Sequence, residues 1–277
     1  GPDRIKDTPI SEAGFIGAGI GSAAAGLKPI VELMSISFSL VGFDQIVNMA
    51  ANIRYMSGGQ INVPMVIRAP TGAGMQLGAT HSQSFETWLC EVPGLKVVAP
   101  SNPKDALGLL RSSIKDPNPV IFAESAGLYG TKGEVPEEYF DIEIGKAEIK
   151  QEGTDITLIS YGHGIPMINK VSEELAKKNV SSEIIDLRSL SPIDYDLINS
   201  SVQKTGRALL LDTARKNGGV MAEIATNINE DSGDYLDGPI LRVGSEDVPW
   251  PYNRKLEQHA MSSVPKIMNK IEQGYSL

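Results

Sequence analysis

A two-domain α/β fold is predicted by three features of the 277-residue sequence. Short apolar strands alternate with helical stretches, a pattern that builds mostly parallel sheets covered by helices on both faces. The alternation breaks once, across 125–153, where Gly127, Gly130, Gly133 and Pro136 accompany a run of acids. It then resumes. The expected layout is a first domain over 1–134, a linker over 135–150 and a second domain over 151–277, two units of ordinary domain size.

Each element has its own signal. Ser11 precedes a helix over 12–26. The run Pro29-Ile30-Val31-Glu32-Leu33 predicts a strand, and a helix follows over 40–56. Strands at 63–68, 96–99 and 120–124 are separated by helices at 83–90 and 103–115. Asn102-Pro103 opens the last of these with a capping residue and a proline tolerated in the first turn. In the second half, strands at 156–160, 182–187 and 208–212 alternate with helices near 164–178, 193–203 and 218–230.

Composition narrows the function. Lys+Arg total 25 against 34 Asp+Glu, a net charge of −9. That balance argues against nucleic-acid binding, which needs clustered cations. No apolar run reaches the roughly 18 residues of a membrane span, and no basic-then-apolar leader opens the chain. Cys90 is the only cysteine, which excludes a disulfide framework and a cysteine-built zinc or iron–sulfur site. It fits a reducing compartment: the cytoplasm is the expectation, with the mitochondrial matrix or plastid stroma as alternatives.

Several segments can carry chemistry. Gly19-Ile20-Gly21-Ser22-Ala23-Ala24 nominally matches a dinucleotide fingerprint, but no strand precedes it and its glycines fall within a helix. Glycine costs about 1 kcal/mol per helical position relative to alanine. The face formed by Ala13, Gly17, Gly21 and Ala24 or Ala25 is therefore expected to meet another helix closely. Glu12, among Ile10, Ala13, Phe15 and Ile16, is either a partly buried carboxyl suited to proton transfer or a first-turn acid behind a Ser11 cap. Phe38 is either a platform for a flat ligand or a hydrophobic staple. His81 ends a glycine-rich loop that follows a strand, where open α/β sheets bind ligands; loop packing is the alternative. His163 in Tyr161-Gly162-His163-Gly164 has a similar setting, and His259 reads as surface. Asp44, Gln45 and Asn48 share a helical face that is solvated or meets an interface. Phosphate-loop, nucleophile-elbow and zinc-helix motifs are absent. So is Gly-Asp-Gly with a downstream Asn, which holds magnesium diphosphate in thiamine enzymes.

Five short motifs occur in order: Asp7-Thr8-Pro9-Ile10-Ser11-Glu12, Met56-Ser57-Gly58-Gly59, Gly78-Ala79-Thr80-His81-Ser82-Gln83, Val92-Pro93-Gly94-Leu95-Lys96-Val97-Val98 and Asp186-Leu187-Arg188-Ser189-Leu190-Ser191-Pro192. Together, over nearly the whole chain, they resemble the beta subunit of the decarboxylating component of 2-oxo acid dehydrogenase complexes. The family normally has a strand and helix before the first motif, so the chain reads as N-terminally truncated relative to it. The resemblance implies a thiamine-pyrimidine-binding domain followed by a transketolase C-terminal domain, and an α2β2 assembly with thiamine diphosphate between subunits. It implies that the alpha subunit supplies the Mg2+–diphosphate motif. Glu12 takes the position of the glutamate that serves the aminopyrimidine ring nitrogen. Met34 and Phe38 match residues packed on that ring, and His81 matches a histidine serving the substrate and the lipoyl group. Main-chain oxygens of Met65, Ser113, Asp116 and Asn118 match a monovalent-cation site, K+ in some members. The implied activity is decarboxylation of pyruvate, or a related small 2-oxo acid, with acyl transfer to lipoamide of a dihydrolipoyl acyltransferase core. Acetoin or branched-chain 2-oxo acid dehydrogenase subunits are close alternatives.

Two further classes compete. A split transketolase would act on sugar phosphates and needs cationic or histidine contacts to phosphate, which three histidines supply poorly. A non-catalytic scaffold would tolerate loss of Glu12.

Overall fold

The computed structural model describes residues 1 and 3–275; Pro2, Ser276 and Leu277, at the ends of the two expected domains, lie outside the described residues. In the first half, α1 (Glu12–Ala24) leads into β1 (Ile30–Glu32). A 3₁₀ segment (Ile36–Gly42), a π-helical turn (Gln45–Ala50) and α2 (Ile53–Met56) follow. Then come β2 (Val66–Thr71), α3 (Glu86–Cys90), β3 (Lys96–Val98), α4 (Pro103–Lys115) and β4 (Val120–Ser125). The second half holds β5 (Glu148–Gln151), β6 (Ile156–Ser160), α5 (Gly164–Ala176), β7 (Ser182–Asp186) and β8 (Ser189–Ser191). It continues through α6 (Tyr195–Thr205), β9 (Ala208–Arg215), α7 (Val220–Ser232), β10 (Leu241–Ser245), α8 (Arg254–Ala260) and α9 (Val264–Tyr275).

The strands form two five-stranded sheets, ordered β1-β2-β4-β3-β8 and β10-β9-β6-β7-β5. All pairings are parallel except the edge pairs β3–β8 and β5–β7. The predicted α/β architecture is therefore present, with one crossover that periodicity did not predict. β8 follows β7 by two residues yet joins the first sheet, antiparallel to β3. The chain turns there at Arg188, whose φ is +57°. The Arg188 carbonyl accepts the Ala99 N–H at 2.8 Å, which seats the turn against the first sheet. One apolar cluster runs from Ile16 of α1 through Ile67 and Ile121 to Ile159, Leu190 and Leu210, so both sheets share a continuous core. A second cluster packs α5 and α9 on the second sheet through Ile168, Leu209, Ile267 and Ile271.

One local expectation is corrected. The single helix predicted over 40–56 is divided into 3₁₀, π and α segments. At Gly42 a Cβ would stand 2.5 Å from Ile16 Cδ1 and 3.4 Å from the Glu12 backbone, so α1 and the 3₁₀ segment meet without room for a side chain. The Asn52 side chain then donates to the Val47 carbonyl at 2.8 Å, within the π-helical stretch. The small-residue face of α1 meets the π-helical turn at Gly17, where a Cβ would stand 4.0 Å from Gln45 Cγ. A closer approach is at Gly19, where a Cβ would stand 2.7 Å from Val31 of β1, whereas nothing lies within 4 Å at Gly21. Asn102 caps α4 as predicted, its side-chain oxygen accepting the Asp105 N–H at 2.9 Å.

Candidate active site

The loops that carry Met34, Phe38 and His81 leave the carboxyl ends of parallel strands, where open α/β sheets place ligands. β1 ends at Glu32, and Met34 and Phe38 follow it directly. β2 ends at Thr71, and the loop after it carries His81. The two segments meet: the Phe38 and His81 rings lie 5.1 Å apart, edge to face. Ser35 ties them further. Its hydroxyl donates to the His81 carbonyl at 3.4 Å and accepts the Ser37 N–H at 3.2 Å, capping the 3₁₀ segment. Thr80 Oγ1 and His81 Nδ1 are 2.8 Å apart. His81 is exposed, Phe38 half-buried and Met34 exposed.

Glu12 opens α1 and packs under the 3₁₀ segment by its backbone at Gly42. The residue is only 6% exposed, and no hydrogen bond reaches its carboxylate among the described residues. Ser11 makes no side-chain capping bond, so the cap half of the alternative reading is not formed. The Glu12 oxygens are not among the fully enclosed, unpartnered atoms of the described residues, so they stay open to a donor. The helix N-terminus is the end that favours a negative charge. A carboxylate free of hydrogen bonds, on a helix that packs on the segment bearing Phe38, fits a nitrogen heterocycle such as the aminopyrimidine of thiamine diphosphate.

The residues expected to offer oxygens to a cation lie on α4, on the turn after it and just before β2. The Met65 carbonyl accepts the Val120 N–H at 2.9 Å. Ser113 lies in the last turn of α4, where carbonyls lack intrahelical donors. The Asp116 side chain is committed elsewhere, to the Asn118 N–H at 2.9 Å and to Lys96. Among the described residues no group of three or more His, Cys, Asp or Glu could hold a metal ion.

The remaining candidates separate from this constellation. Asp44 accepts from Asn48 at 2.7 Å on an exposed helical face. His259 is exposed. His163 lies across the base of the His81 loop, its Cε1 3.6 Å from where a Gly72 Cβ would be. Desolvation pushes its imidazole down to about 4, so it stays neutral.

A buried polar cluster that the sequence did not predict stands behind the loop. The Thr71 hydroxyl donates to Glu86 Oε2 at 2.5 Å, and Glu86 Oε1 has no partner. On the second-half side, Tyr161 donates to Asp212 Oδ1 at 2.8 Å, and the Ala214 N–H caps the same oxygen at 2.9 Å. Burial, followed by repulsion from Asp212, raises Glu86 from 4.5 to about 7. A raised carboxyl binds its proton more tightly folded than unfolded. Its stabilisation is fully present below about 4.5 and is lost as pH rises toward about 7. Glu86→Gln is accordingly expected to flatten the fall in thermal midpoint across that window. Asp186, also raised to about 7 by burial, leaves a residual slope of the same sign. An unchanged midpoint-versus-pH curve in the variant would place the titration elsewhere.

Comparison with known proteins follows this division of the chain. Residues 1–132 match the transketolase pyrimidine binding domain, and residues 145–267 match the transketolase C-terminal domain. The chain is 46% identical over 272 residues to the mitochondrial pyruvate dehydrogenase E1 component subunit beta-1 of Arabidopsis thaliana, covering 97% of this chain and 75% of that protein. It is 44% identical over 282 residues to the mitochondrial subunit beta of Saccharomyces cerevisiae, covering 100% and 77%. To the subunit beta of Rhizobium meliloti it is 45% identical over 273 residues, covering 98% and 59%. A solved structure described as a split gene transketolase, inactive beta4 tetramer, superposes with a TM-score of 0.80 at 20% identity, over 100% of this chain and 85% of that one. That likeness shows the two-domain fold; the sequence identities are more specific. The chain belongs to the family of pyruvate dehydrogenase E1 component beta subunits.

Proposed function

We propose that this chain is the beta subunit of a thiamine-diphosphate-dependent pyruvate dehydrogenase, decarboxylating pyruvate and passing the acetyl group to lipoamide of an acyltransferase core. The observation that carries the proposal is Glu12, 6% exposed with no hydrogen bond to its carboxylate among the described residues, packed by its backbone on the segment that bears Phe38, with His81 against that ring. When bound, thiamine diphosphate supplies the nucleophilic carbon and the electron sink for loss of CO2. This chain's residues do the rest. Glu12 holds or passes a proton at the aminopyrimidine ring nitrogen. Phe38 and Met34 bear on the ring face. His81, on the solvent side, exchanges a proton with the substrate or the incoming lipoyl group.

The other parts of the proposal are these. An alpha subunit supplies the magnesium–diphosphate motif, in an α2β2 assembly. Carbonyls of Met65, Ser113, Asp116 and Asn118 hold K+. The linker over 135–150 is supported by irregular backbone from Tyr129 to β5, which begins within that range. No helix among the described residues is long and apolar enough to cross a membrane. Relatives named as mitochondrial, in a plant and in yeast, sit beside a bacterial one. Cytoplasm, or matrix in a eukaryotic source, is the proposed location.

The test is a reconstitution with the alpha subunit from the same source. The complex is expected to acetylate a lipoyl domain from pyruvate. His81→Ala should leave deuterium exchange at the thiazolium carbon nearly unchanged and slow acetyl transfer by about 10²-fold or more. If exchange collapses together with transfer, His81 belongs to cofactor activation. If branched-chain 2-oxo acids or acetoin are turned over in place of pyruvate, the substrate assignment is wrong.

A further inference from the structure

The loop that carries His81 is held from the other half of the molecule. Glu257 of α8 is 1% exposed, and its carboxylate is spent on main-chain donors of that loop. Oε1 accepts the Gly74 and Gln76 N–H groups at 3.1 Å each, and Oε2 accepts the Gln76 N–H at 3.2 Å. The loop adopts left-handed backbone at both positions, with φ of +111° at Gly74 and +58° at Gln76. A non-glycine residue pays for that conformation, so the carboxylate supports a shape the loop would not keep alone. Asn253 in turn fixes α8, its side-chain oxygen accepting the Lys255 and Leu256 N–H groups. Beyond the clamp, the Gly72 N–H closes the loop base on the Gln83 carbonyl at 3.1 Å, and Arg215 of β9 grips the Gln83 side chain at 3.1 Å. His81 lies between these two anchors, against Phe38.

We infer that Glu257 is a positioning residue for His81: by holding the Gly74–Gln76 backbone from the C-terminal half, it keeps the imidazole edge-on to Phe38, where acyl transfer needs it. The inference rests on the proposed role of His81. Charge-assisted bonds from a carboxylate to backbone N–H groups are among the stronger hydrogen bonds. A glutamine at 257 keeps the size but replaces one acceptor oxygen by a donor that faces a donor.

The experiment uses the reconstituted complex with the alpha subunit and four forms of this chain: unmodified, Glu257→Gln, His81→Ala and the double variant. Glu257→Gln should speed amide hydrogen exchange across 72–83. It should slow acetyl transfer to a lipoyl domain by about 10–10²-fold, the range for a misplaced catalytic group, and leave thiazolium deuterium exchange within a factor of about two. Because Glu257 acts through His81, the double variant should be no slower than His81→Ala alone, a failure of additivity expected of coupled residues. Unchanged loop exchange, unchanged acetyl transfer, or losses that multiply in the double variant would each overturn the inference. If His81→Ala alone transfers at the unmodified rate, the His81 role fails first, and that arm identifies the failure.

Discussion

Glu12→Gln is expected to lower turnover of the complex reconstituted with an alpha subunit by about 10²–10⁴-fold while the cofactor stays bound. The basis is local. Glu12 begins α1, is 6% exposed and has no hydrogen-bond donor among the described residues. A carboxylate left this way is open to a partner from outside the chain, as the proposed function requires. Glutamine fills the same volume and still offers an acceptor oxygen, so binding survives, but an amide cannot take up or release a proton near neutral pH. The size expected is that of one general acid–base contribution. Two measurements separate the effects: acetylation of a lipoyl domain for turnover, and calorimetric titration with thiamine diphosphate for binding. Turnover within a factor of about two of the unmodified complex would reduce Glu12 to a helix-terminal acid and favour a scaffold role. Loss of binding with loss of turnover would make Glu12 an anchor instead of a proton-transfer group.

Arg188→Ala is expected to destabilise the chain by about 3–5 kcal/mol, the usual consequence of removing one partner of a buried ion pair. The Arg188 guanidinium donates to Asp105 Oδ1 at 2.9 Å and approaches Glu148 at 2.6 Å, so it joins α4 of the first half to β5 of the second. Asp105 is 0% exposed, and its other side-chain contact is the Asn102 amide at 2.5 Å. Without the guanidinium, a buried carboxylate loses its one cation among the described residues. The same residue bends the chain between β7 and β8 at φ +57°, so alanine also keeps a backbone strain that the contacts no longer offset. Arg188→Lys should recover only part of the loss, since an ammonium cannot reproduce the planar guanidinium's fixed donor geometry. Denaturant midpoints at neutral pH read this directly. A shift below about 1 kcal/mol at neutral pH would show that the network rearranges around the gap.

The alternation of apolar strands and helices was enough to predict the two-part α/β architecture, because a strand buried on both faces leaves a run such as Val120-Ile121-Phe122-Ala123 that reads without neighbours. Capping chemistry was equally legible at Asn102, since it depends on residues three apart. Edge elements were not. β5 carries Glu148 and Lys150, and β8 is Ser189-Leu190-Ser191; edges are short and polar, so they lack the periodicity that marks a central strand. α9 did carry a helical apolar spacing, at Ile267, Met268 and Ile271, that the element prediction left unused.

The site divides along the same line. Motif order in the sequence singled out Glu12, Phe38 and His81, and strand-to-loop position explained why the last two could serve a ligand. That Phe38 meets His81 edge-on, and that Glu12 is buried with no hydrogen bond to its carboxylate among the described residues, are consequences of how α1, the 3₁₀ segment and the β2 loop pack, where Gly42 admits no side chain. Glu257 and the Glu86–Asp212 cluster had no sequence signal at all. Their roles arise from contacts between segments far apart in the chain, and an acid on a short helix reads the same whether it faces water or three backbone N–H contacts. The sequence by itself determined which elements form and which chemistry they can offer, because propensity, capping and apolar period are local. Only the tertiary structure decided which carboxylates lose water and which loop is held by which half, because burial and partner geometry exist only once both sheets share one core.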